Sequence, residues 1–339
     1  MPPPVVLGPQ RPSPNVPLAL AELARQSEPR DGPIVVLTAG WRTDETDDEA
    51  LRRHLGPDVA VLPVYTWFEV VMRELPELRA EYRARQDALV DLRRLHRMRL
   101  NPALGVVTEF LRAGRDTAGR DPGGRDTGSP VLVEEHLQLA FDDVRRIDRQ
   151  LLDSAGRIHA AHARASEPWT AHPVVERLRT RAVEALTGAR AIAIAGGHVA
   201  VLLNRLQFFG LDRVLRELGA AGRPIVAWSA GSMVLTDRIV LFYDDPPDGP
   251  AYPELLDLGF GMVNDVVVLP HARLRLRLDD PIRVSALANR FGPSPCIGLE
   301  NGAWLVRDAD AWYNRGAPGT AVQLLPDGTV RDLPAWGRA

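Results

Sequence analysis

The sequence Pro224-Ile-Val-Ala-Trp-Ser-Ala-Gly-Ser-Met-Val-Leu235 decides how the rest of this chain is interpreted. It begins with a β-branched apolar run that stops at Ser229, and small residues follow at Ala230 and Gly231. This order is typical of a nucleophile elbow, in which a buried strand turns sharply into a helix and presents a serine at the turn. Small neighbours are needed because the turn strains the backbone and brings the helix close to the strand. Ala227 stands where the elbow pattern has its first glycine, so an ordinary strand-to-helix connection stays open as the alternative.

Apolar runs elsewhere in the chain have the length and composition of buried parallel strands. Residues 33–40 and 59–64 flank a short helical segment, so the chain opens with a β-α-β unit. Residues 189–195 form a similar run, and residues 261–269 form another. We therefore predict an α/β fold with a doubly wound, mostly parallel sheet.

The chain divides into segments of different composition. Between residues 68 and 169 apolar residues recur at helical spacing among many arginines and glutamates, which predicts a helical insertion. It could act as a lid, a wall of the substrate cleft or a dimerisation arm, so a homodimer stays open. Within it, residues 113–130 lack large apolar side chains, which predicts a mobile, disordered loop. The proline-rich residues 1–31 predict a flexible or loosely docked arm, which leaves 32–67 and 170–339 for the α/β domain.

The composition excludes several classes of function. The net charge of −3 gives no basic surface for nucleic acid or an anionic membrane. All 41 basic residues are arginine, which excludes lysine Schiff-base chemistry and the lysine-dependent phosphate loop. Cys296 is the single cysteine, so an intramolecular disulfide is excluded and a reducing compartment fits. With neither a signal-peptide pattern nor an apolar run long enough for a bilayer, we expect a soluble, cytoplasmic protein.

Other strand ends carry the groups that a serine nucleophile needs. Gly196 and Gly197 follow an apolar strand, and in a parallel sheet the carboxyl ends of the strands line the ligand crevice. The N–H groups of Gly197 and Ala230 could together stabilise an oxyanion, although a plain strand-to-helix turn would use the same glycines. His271 also follows an apolar strand and is the best candidate for the base, with His198 second. The remaining histidines lie on charged helices or their connections, where a solvated surface position is expected: His54, His96, His136, His159, His162 and His172.

Three acids are candidates for the group that orients the histidine. Asp244 and Asp245 close the strand after the elbow, and Glu300 closes a strand nearer the C-terminus. The aspartate pair precedes two prolines and would also suit an ordinary turn. A metal centre at His159 and His162 would need two more ligands at helical spacing, so we predict no metal and no cofactor.

Alternating arginines follow the predicted base. If the segment after His271 continues as a strand, Arg273, Arg275 and Arg277 lie on one side of it. Guanidinium groups beside an active site would suit a substrate carboxylate, which arginine binds bidentately. The alternative is an amphipathic edge strand with its arginines in water.

Together these residues resemble the dipeptidase E and cyanophycinase serine peptidases, whose fold is related to class I glutamine amidotransferases. The resemblance rests on the Gly196 and Gly197 turn, on Trp228-Ser229-Ala230-Gly231 and on His271, which lies 42 residues after the serine. It implies an oxyanion donor in the glycine turn, Asp244 or Asp245 as the acid of the triad, and Glu300 as an alternative acid. Arg275 and Arg277 match substrate-binding arginines of the cyanophycinase branch, whereas a third expected arginine is Asp280 here. Substrate contacts are predicted for Gly196, His198, Trp228, Arg273, Arg275 and Arg277.

The favoured function is therefore a serine hydrolase that cleaves a peptide or amide bond in a small acidic substrate, aspartyl or β-aspartyl, through an acyl-enzyme on Ser229. The alternative is a catalytically silent member of the same fold that binds a ligand or a partner. Glutamine hydrolysis of the amidotransferase type is disfavoured because a serine occupies the nucleophile position and Cys296 lies elsewhere.

Overall fold

The fold is built around a seven-stranded sheet, seen in a computed structural model that describes residues 3–12, 14–118, 130–242, 252–309 and 311–337. The strand order is β11-β10-β1-β5-β4-β2-β3. Five neighbouring strands of this sheet run parallel to one another, namely β1, β5, β4, β2 and β3. The other two, β10 and β11, are antiparallel and lie at one edge. The strands of this sheet are β1 Val5–Leu7, β2 Ile34–Leu37, β3 Val59–Leu62, β4 Ala191–Ile194, β5 Ile225–Trp228, β10 Trp304–Asp308 and β11 Ala311–Asn314.

Two smaller sheets complete the β structure of the described residues. Strands β13-β12-β9-β8 form one, in which β8 and β9 run parallel, and the antiparallel pair β6-β7 forms the other. Their bounds are β6 Arg238–Leu241, β7 Glu254–Leu258, β8 Val267–Pro270, β9 Cys296–Leu299, β12 Ala321–Leu324 and β13 Val330–Asp332.

Helices cover both faces of the central sheet. The apolar side chains of β2, β4 and β5 are buried on both faces, as continuous apolar runs in parallel strands predict. The helices are α1 Val16–Gln26, α2 Glu49–Leu55, α3 Val64–Glu74, α4 Pro76–Ala118, α5 Pro130–Thr170, α6 Pro173–Thr187, α7 Val199–Phe208, α8 Leu211–Ala220, α9 Ala230–Leu235, α10 Ala272–Arg275 and α11 Pro281–Phe291, with a short 3-10 helix at Ala39–Asp44. The predicted α/β class with a mostly parallel sheet is confirmed.

The predicted insertion contains two long helices that pack against each other. α4 has 43 residues and α5 has 41. A buried apolar cluster joins them through Leu104, Val107, Phe141 and Val144. The prediction of a loop at 113–130 is wrong for residues 113–118, because they form the last part of α4. Pro130 is the first residue of α5. Residues 119–129 lie outside the described residues.

The prediction of a loosely docked arm at residues 1–31 is wrong for most of the described part. β1 lies inside the central sheet, parallel to β5 and antiparallel to β10, and α1 packs on the sheet. Val6 and Leu7 are completely or almost completely buried. The prolines on which the prediction of a loose arm rested flank a strand of only three residues. Backbone hydrogen bonds to β5 on one side and β10 on the other stabilise this strand.

Candidate active site

Ser229 lies at a sharp, strained turn between a strand and a helix, as the predicted nucleophile elbow requires. Ser229 joins β5 to α9 with φ 53° and ψ −120°, a conformation that residues other than glycine rarely adopt. A Cβ atom on Gly231 would lie 2.2 Å from the carbonyl oxygen of Ile194, so only glycine lets α9 approach β4 this closely. Ala227 is an interior strand residue paired with Val6 and Ile194, so alanine fits at the position where the pattern has glycine.

The glycine turn after β4 lies directly against the serine. A Cβ atom on Gly196 would lie 3.0 Å from the Cβ atom of Ser229 and 3.3 Å from its Oγ. Gly197 has φ +115° and packs against the backbone of Gly40. Within the described residues, neither Gly197 N–H nor Ala230 N–H donates to a backbone carbonyl. Both amides are therefore available for the oxyanion that they are predicted to bind.

His271 and Glu300 follow two neighbouring parallel strands, β8 and β9. His271 has φ 60° and ψ 37°, and its N–H donates to the carbonyl oxygen of Leu299 at 2.8 Å. Glu300 is the residue after Leu299, so this pairing brings the carboxylate and the imidazole to the same end of the sheet. The Glu300 carboxylate also accepts the N–H of Arg273 at 2.8 Å, which fixes its position.

The surroundings of His271 favour its neutral form. Burial lowers the pKa of the imidazole below its ordinary value, the Arg275 guanidinium lowers it further, and the Glu300 carboxylate opposes both. A neutral imidazole is the form that can accept a proton from a serine hydroxyl.

Ser229 and His271 line one cavity of about 310 Å³, together with Gly196, Gly197 and Trp228. Among the described residues no hydrogen bond joins the serine hydroxyl to the imidazole. The predicted serine, histidine and glycine turn thus come together, while their catalytic roles remain predictions. Asp244 and Asp245 lie outside the described residues, which leaves Glu300 as the described acid beside His271.

The arginine segment after His271 differs from its prediction. Residues 272–275 form the helical turn α10, because the left-handed backbone at His271 turns the chain away from the strand direction. Arg273 donates to the carbonyl oxygen of Gly319, whereas Arg277 lines a separate cavity of about 270 Å³. The predicted common face of the three arginines is therefore wrong, and only Arg275 is close enough to His271 to affect its pKa.

Two further predicted residues have roles in helix capping. His198 Nδ1 accepts the N–H of Val201 at the start of α7. Asp280, at the position where the resemblance to the cyanophycinase branch predicts an arginine, accepts the N–H groups of Ile282 and Arg283 at the start of α11. These hydrogen bonds give His198 and Asp280 structural roles at helix N-termini that do not depend on a substrate.

The cavity residues that the sequence did not predict include Arg11, Trp41 and His54. His54 Nδ1–H donates to the carbonyl oxygen of Ala50 at 2.6 Å. These residues reach the cavity from the N-terminal segment, the 3-10 helix and α2, so only the tertiary fold brings them to Ser229.

The α/β fold with its mostly parallel sheet is of the class I glutamine amidotransferase-like type, and Ser229 occupies the predicted nucleophile position. Residues 171–312 match the model of peptidase family S51, so the resemblance to dipeptidase E is confirmed over that part of the chain. Cys296 is buried in β9, and burial raises the pKa of its thiol to about 12, which is typical of a structural cysteine.

Similarity to known proteins covers only part of the chain. Pyridoxal 5'-phosphate synthase subunit PdxT of Geobacillus thermodenitrificans (strain NG80-2) is 33% identical over 85 residues, which are 25% of this chain and 41% of the relative. The same subunit of Geobacillus kaustophilus (strain HTA426) is 32% identical over 85 residues, with the same two shares. The match thus spans about two fifths of the length of these curated relatives. A crystal structure of a peptidase from an acI-B1 Actinobacterium has a TM-score of 0.34 and 19% identity, covering 69% of this chain and 88% of that chain.

Among the described residues, no helix is both long enough and apolar enough to cross a membrane.

Proposed function

We propose that this protein is a serine peptidase that hydrolyses an amide bond in a short peptide through an acyl-enzyme on Ser229. The observation that supports this best is that Ser229 and His271, each held at a strand end with positive φ, line the same cavity. The match of residues 171–312 to peptidase family S51 supports the same class of reaction.

The first half of the reaction forms the acyl-enzyme. The Ser229 hydroxyl oxygen attacks the amide carbonyl carbon, and the neutral His271 imidazole accepts the hydroxyl proton. The N–H groups of Gly197 and Ala230 stabilise the oxyanion of the tetrahedral intermediate. His271 then gives its proton to the leaving amine as the carbon–nitrogen bond breaks.

The second half regenerates the serine. Water enters, loses a proton to His271 and attacks the acyl carbon, and the Ser229 oxygen leaves with that proton. Glu300 stabilises the imidazolium that forms in both halves, which agrees with its effect on the His271 pKa. Each step uses groups of this chain and water.

The proposed substrate is a short acidic peptide, aspartyl or β-aspartyl. The Arg275 guanidinium lies close enough to His271 to lower its pKa, and we propose that it helps to attract the substrate carboxylate.

Labelling with a fluorophosphonate tests the nucleophile. We expect the wild type to be labelled on Ser229, and we expect Ser229→Ala and His271→Ala to lose both the label and peptide hydrolysis. Ser154→Ala is the matched control, because Ser154 lies in α5 away from this cavity. A folded wild type that neither reacts nor hydrolyses a panel of α- and β-aspartyl dipeptides would contradict the proposal and favour a ligand-binding protein of the same fold.

A further inference from the structure

The N-terminal segment forms one wall of the cavity that contains Ser229. Six of its residues line that cavity: Pro9, Gln10, Arg11, Pro14, Val16 and Pro17. The segment directly follows β1, which pairs with β5, the strand that precedes Ser229. Its position relative to the serine is therefore set by the central sheet.

Hydrogen bonds hold this wall in a defined conformation. Gln10 Oε1 accepts the N–H of Asn15 at 2.8 Å, and Gln10 Nε2 donates to the side chain of Asn15 at 2.8 Å. Asn15 Nδ2 donates to the carbonyl oxygens of Gly302 and Ala303 at 3.1 and 3.3 Å. Gln10, which precedes Arg11 in the chain, is thus tied to Asn15, and Asn15 is tied to the strand-to-strand turn after Glu300.

The chemistry of the cavity is mainly apolar, with one permanent positive charge. Besides the residues of the N-terminal wall, the large apolar side chains of Trp41, Leu51, Leu55 and Trp228 line the cavity. Arg11 is the one arginine among the described residues that line the cavity, and none of these residues is an aspartate or a glutamate. Arg11 is exposed, and within the described ranges its guanidinium has no ion-pair or hydrogen-bond partner.

We propose that Arg11 binds a carboxylate of the substrate and that the apolar walls select a peptide with an apolar side chain next to the scissile bond. This inference rests on the proposed peptidase function and assigns its selectivity to the N-terminal segment. An exposed arginine whose guanidinium group has no partner within the described residues can bind a carboxylate through two parallel hydrogen bonds. The apolar lining of the cavity would exclude water from an aliphatic side chain bound within it.

Peptide hydrolysis by the full chain tests the assignment. The substrates are Asp-Leu, Asn-Leu, Asp-Leu-amide and Asp-Gly, so that the side-chain carboxylate, the terminal carboxylate and the apolar side chain are each removed in turn. We expect the wild type to prefer Asp-Leu over Asp-Gly, and over the analogue that lacks the carboxylate bound by Arg11. Whichever analogue is the poorer substrate, Asn-Leu or Asp-Leu-amide, identifies the carboxylate that Arg11 binds.

Variants separate a binding role from a general effect on structure. Arg11→Gln should raise KM for Asp-Leu about tenfold with a smaller change in kcat, and Arg11→Lys should recover part of the loss. Arg11→Gln should also remove the discrimination between Asp-Leu and the poorer analogue. Leu55→Ala should reduce the preference for Asp-Leu over Asp-Gly. Arg53→Gln is the matched control, because Arg53 is exposed on α2 and pairs with Glu49.

The outcomes distinguish this inference from the proposed function. Hydrolysis by the wild type with unchanged discrimination in Arg11→Gln would overturn the role of Arg11 and leave the peptidase assignment intact. Absence of hydrolysis and of Ser229 labelling in the wild type would overturn both.

Discussion

The N–H of Ser229 donates a hydrogen bond to the carbonyl oxygen of Leu7 at 3.2 Å, across 222 positions of the chain. The hydroxyl of Ser232 donates to the same carbonyl at 2.8 Å and lies 3.0 Å from the carbonyl oxygen of Ala227. The N-terminal strand therefore supports the turn at Ser229 directly, and the segment that follows this strand lines the cavity. The strained backbone at Ser229 is therefore stabilised by hydrogen bonds to Leu7 from Ser229 itself and from Ser232 in the following helix.

Removing the Ser232 hydroxyl should weaken this support. Ser232 is fully buried, so Ser232→Ala should reduce the free energy of unfolding by about 1 kcal/mol. Urea unfolding followed by circular dichroism measures the change. Ser166→Ala, which removes a hydroxyl bonded only to carbonyls of its own helix α5, should cost less. Equal losses in the two variants would contradict a special role for the Leu7 contact.

The close approach of α9 and β4 makes Gly231 intolerant of a side chain. Because a Cβ atom would lie 2.2 Å from the Ile194 carbonyl oxygen, Gly231→Ala should lower stability by about 1–3 kcal/mol and also displace Ser229. Gly156→Ala is the control within α5, where a Cβ atom meets nothing within 4 Å. It should stabilise the protein by about 0.5–1 kcal/mol. Thermal unfolding of both variants checks this, and equal behaviour would show that the helix can shift.

The charges around His271 predict how peptidase activity depends on pH. Only the neutral imidazole accepts the serine proton, so kcat/KM should fall as pH drops through the lowered pKa of His271. Arg275→Gln removes a positive charge, which raises this pKa and moves the acidic limb to higher pH. Glu300→Gln removes a negative charge, which lowers the pKa and moves the limb to lower pH.

Profiles of kcat/KM against pH for these two variants give the test. Arg273→Gln is the matched control, because its side chain is exposed and has no part in the His271 shift. Movement of the limb in the same direction in Arg275→Gln and Glu300→Gln would show that another group limits the activity.

Local patterns in the sequence predicted those parts of the fold that a continuous apolar run determines. The runs before Ser229, Gly196 and His271 are strands β5, β4 and β8, so the residues after them meet at one end of the sheets. Strand β1 was missed because its three residues lie among prolines and depend on partners far away in sequence.

The arginine segment shows the opposite limit. Its alternation has the period of a strand, yet the positive φ of His271 ends the strand and begins a helical turn. The periodicity of the segment does not mark that change, and the hydrogen bond from His271 N–H to the carbonyl oxygen of Leu299 stabilises it. Arg11 and His54 likewise reach the cavity through the packing of separate elements, which single-sequence periodicity does not encode.

A buried ionic cluster joins the long helices to the rest of the protein and gives the last prediction. Asp148 on α5 accepts two hydrogen bonds from Arg290 on α11, at 2.7 and 2.8 Å, and one from His96 on α4 at 3.0 Å. Burial alone would raise the pKa of Asp148, but Arg290 and His96 hold it below its ordinary value. The ionised carboxylate therefore stabilises the fold at neutral pH, and this contribution is lost as pH falls through that lowered pKa.

Asp148→Ala should leave the guanidinium of Arg290 buried without its carboxylate, because Arg290 is only 3% exposed. We expect a loss of about 3–5 kcal/mol in the free energy of unfolding. The control is Asp143→Ala, which breaks the exposed pair with Arg146 on the same helix and should cost less than about 1 kcal/mol. Urea unfolding at pH 7 measures both losses. Equal losses in the two variants would mean that water or a rearranged side chain replaces the hydrogen bonds that Asp148 makes to Arg290. The attachment of α5 to α11 would then depend on apolar contacts instead.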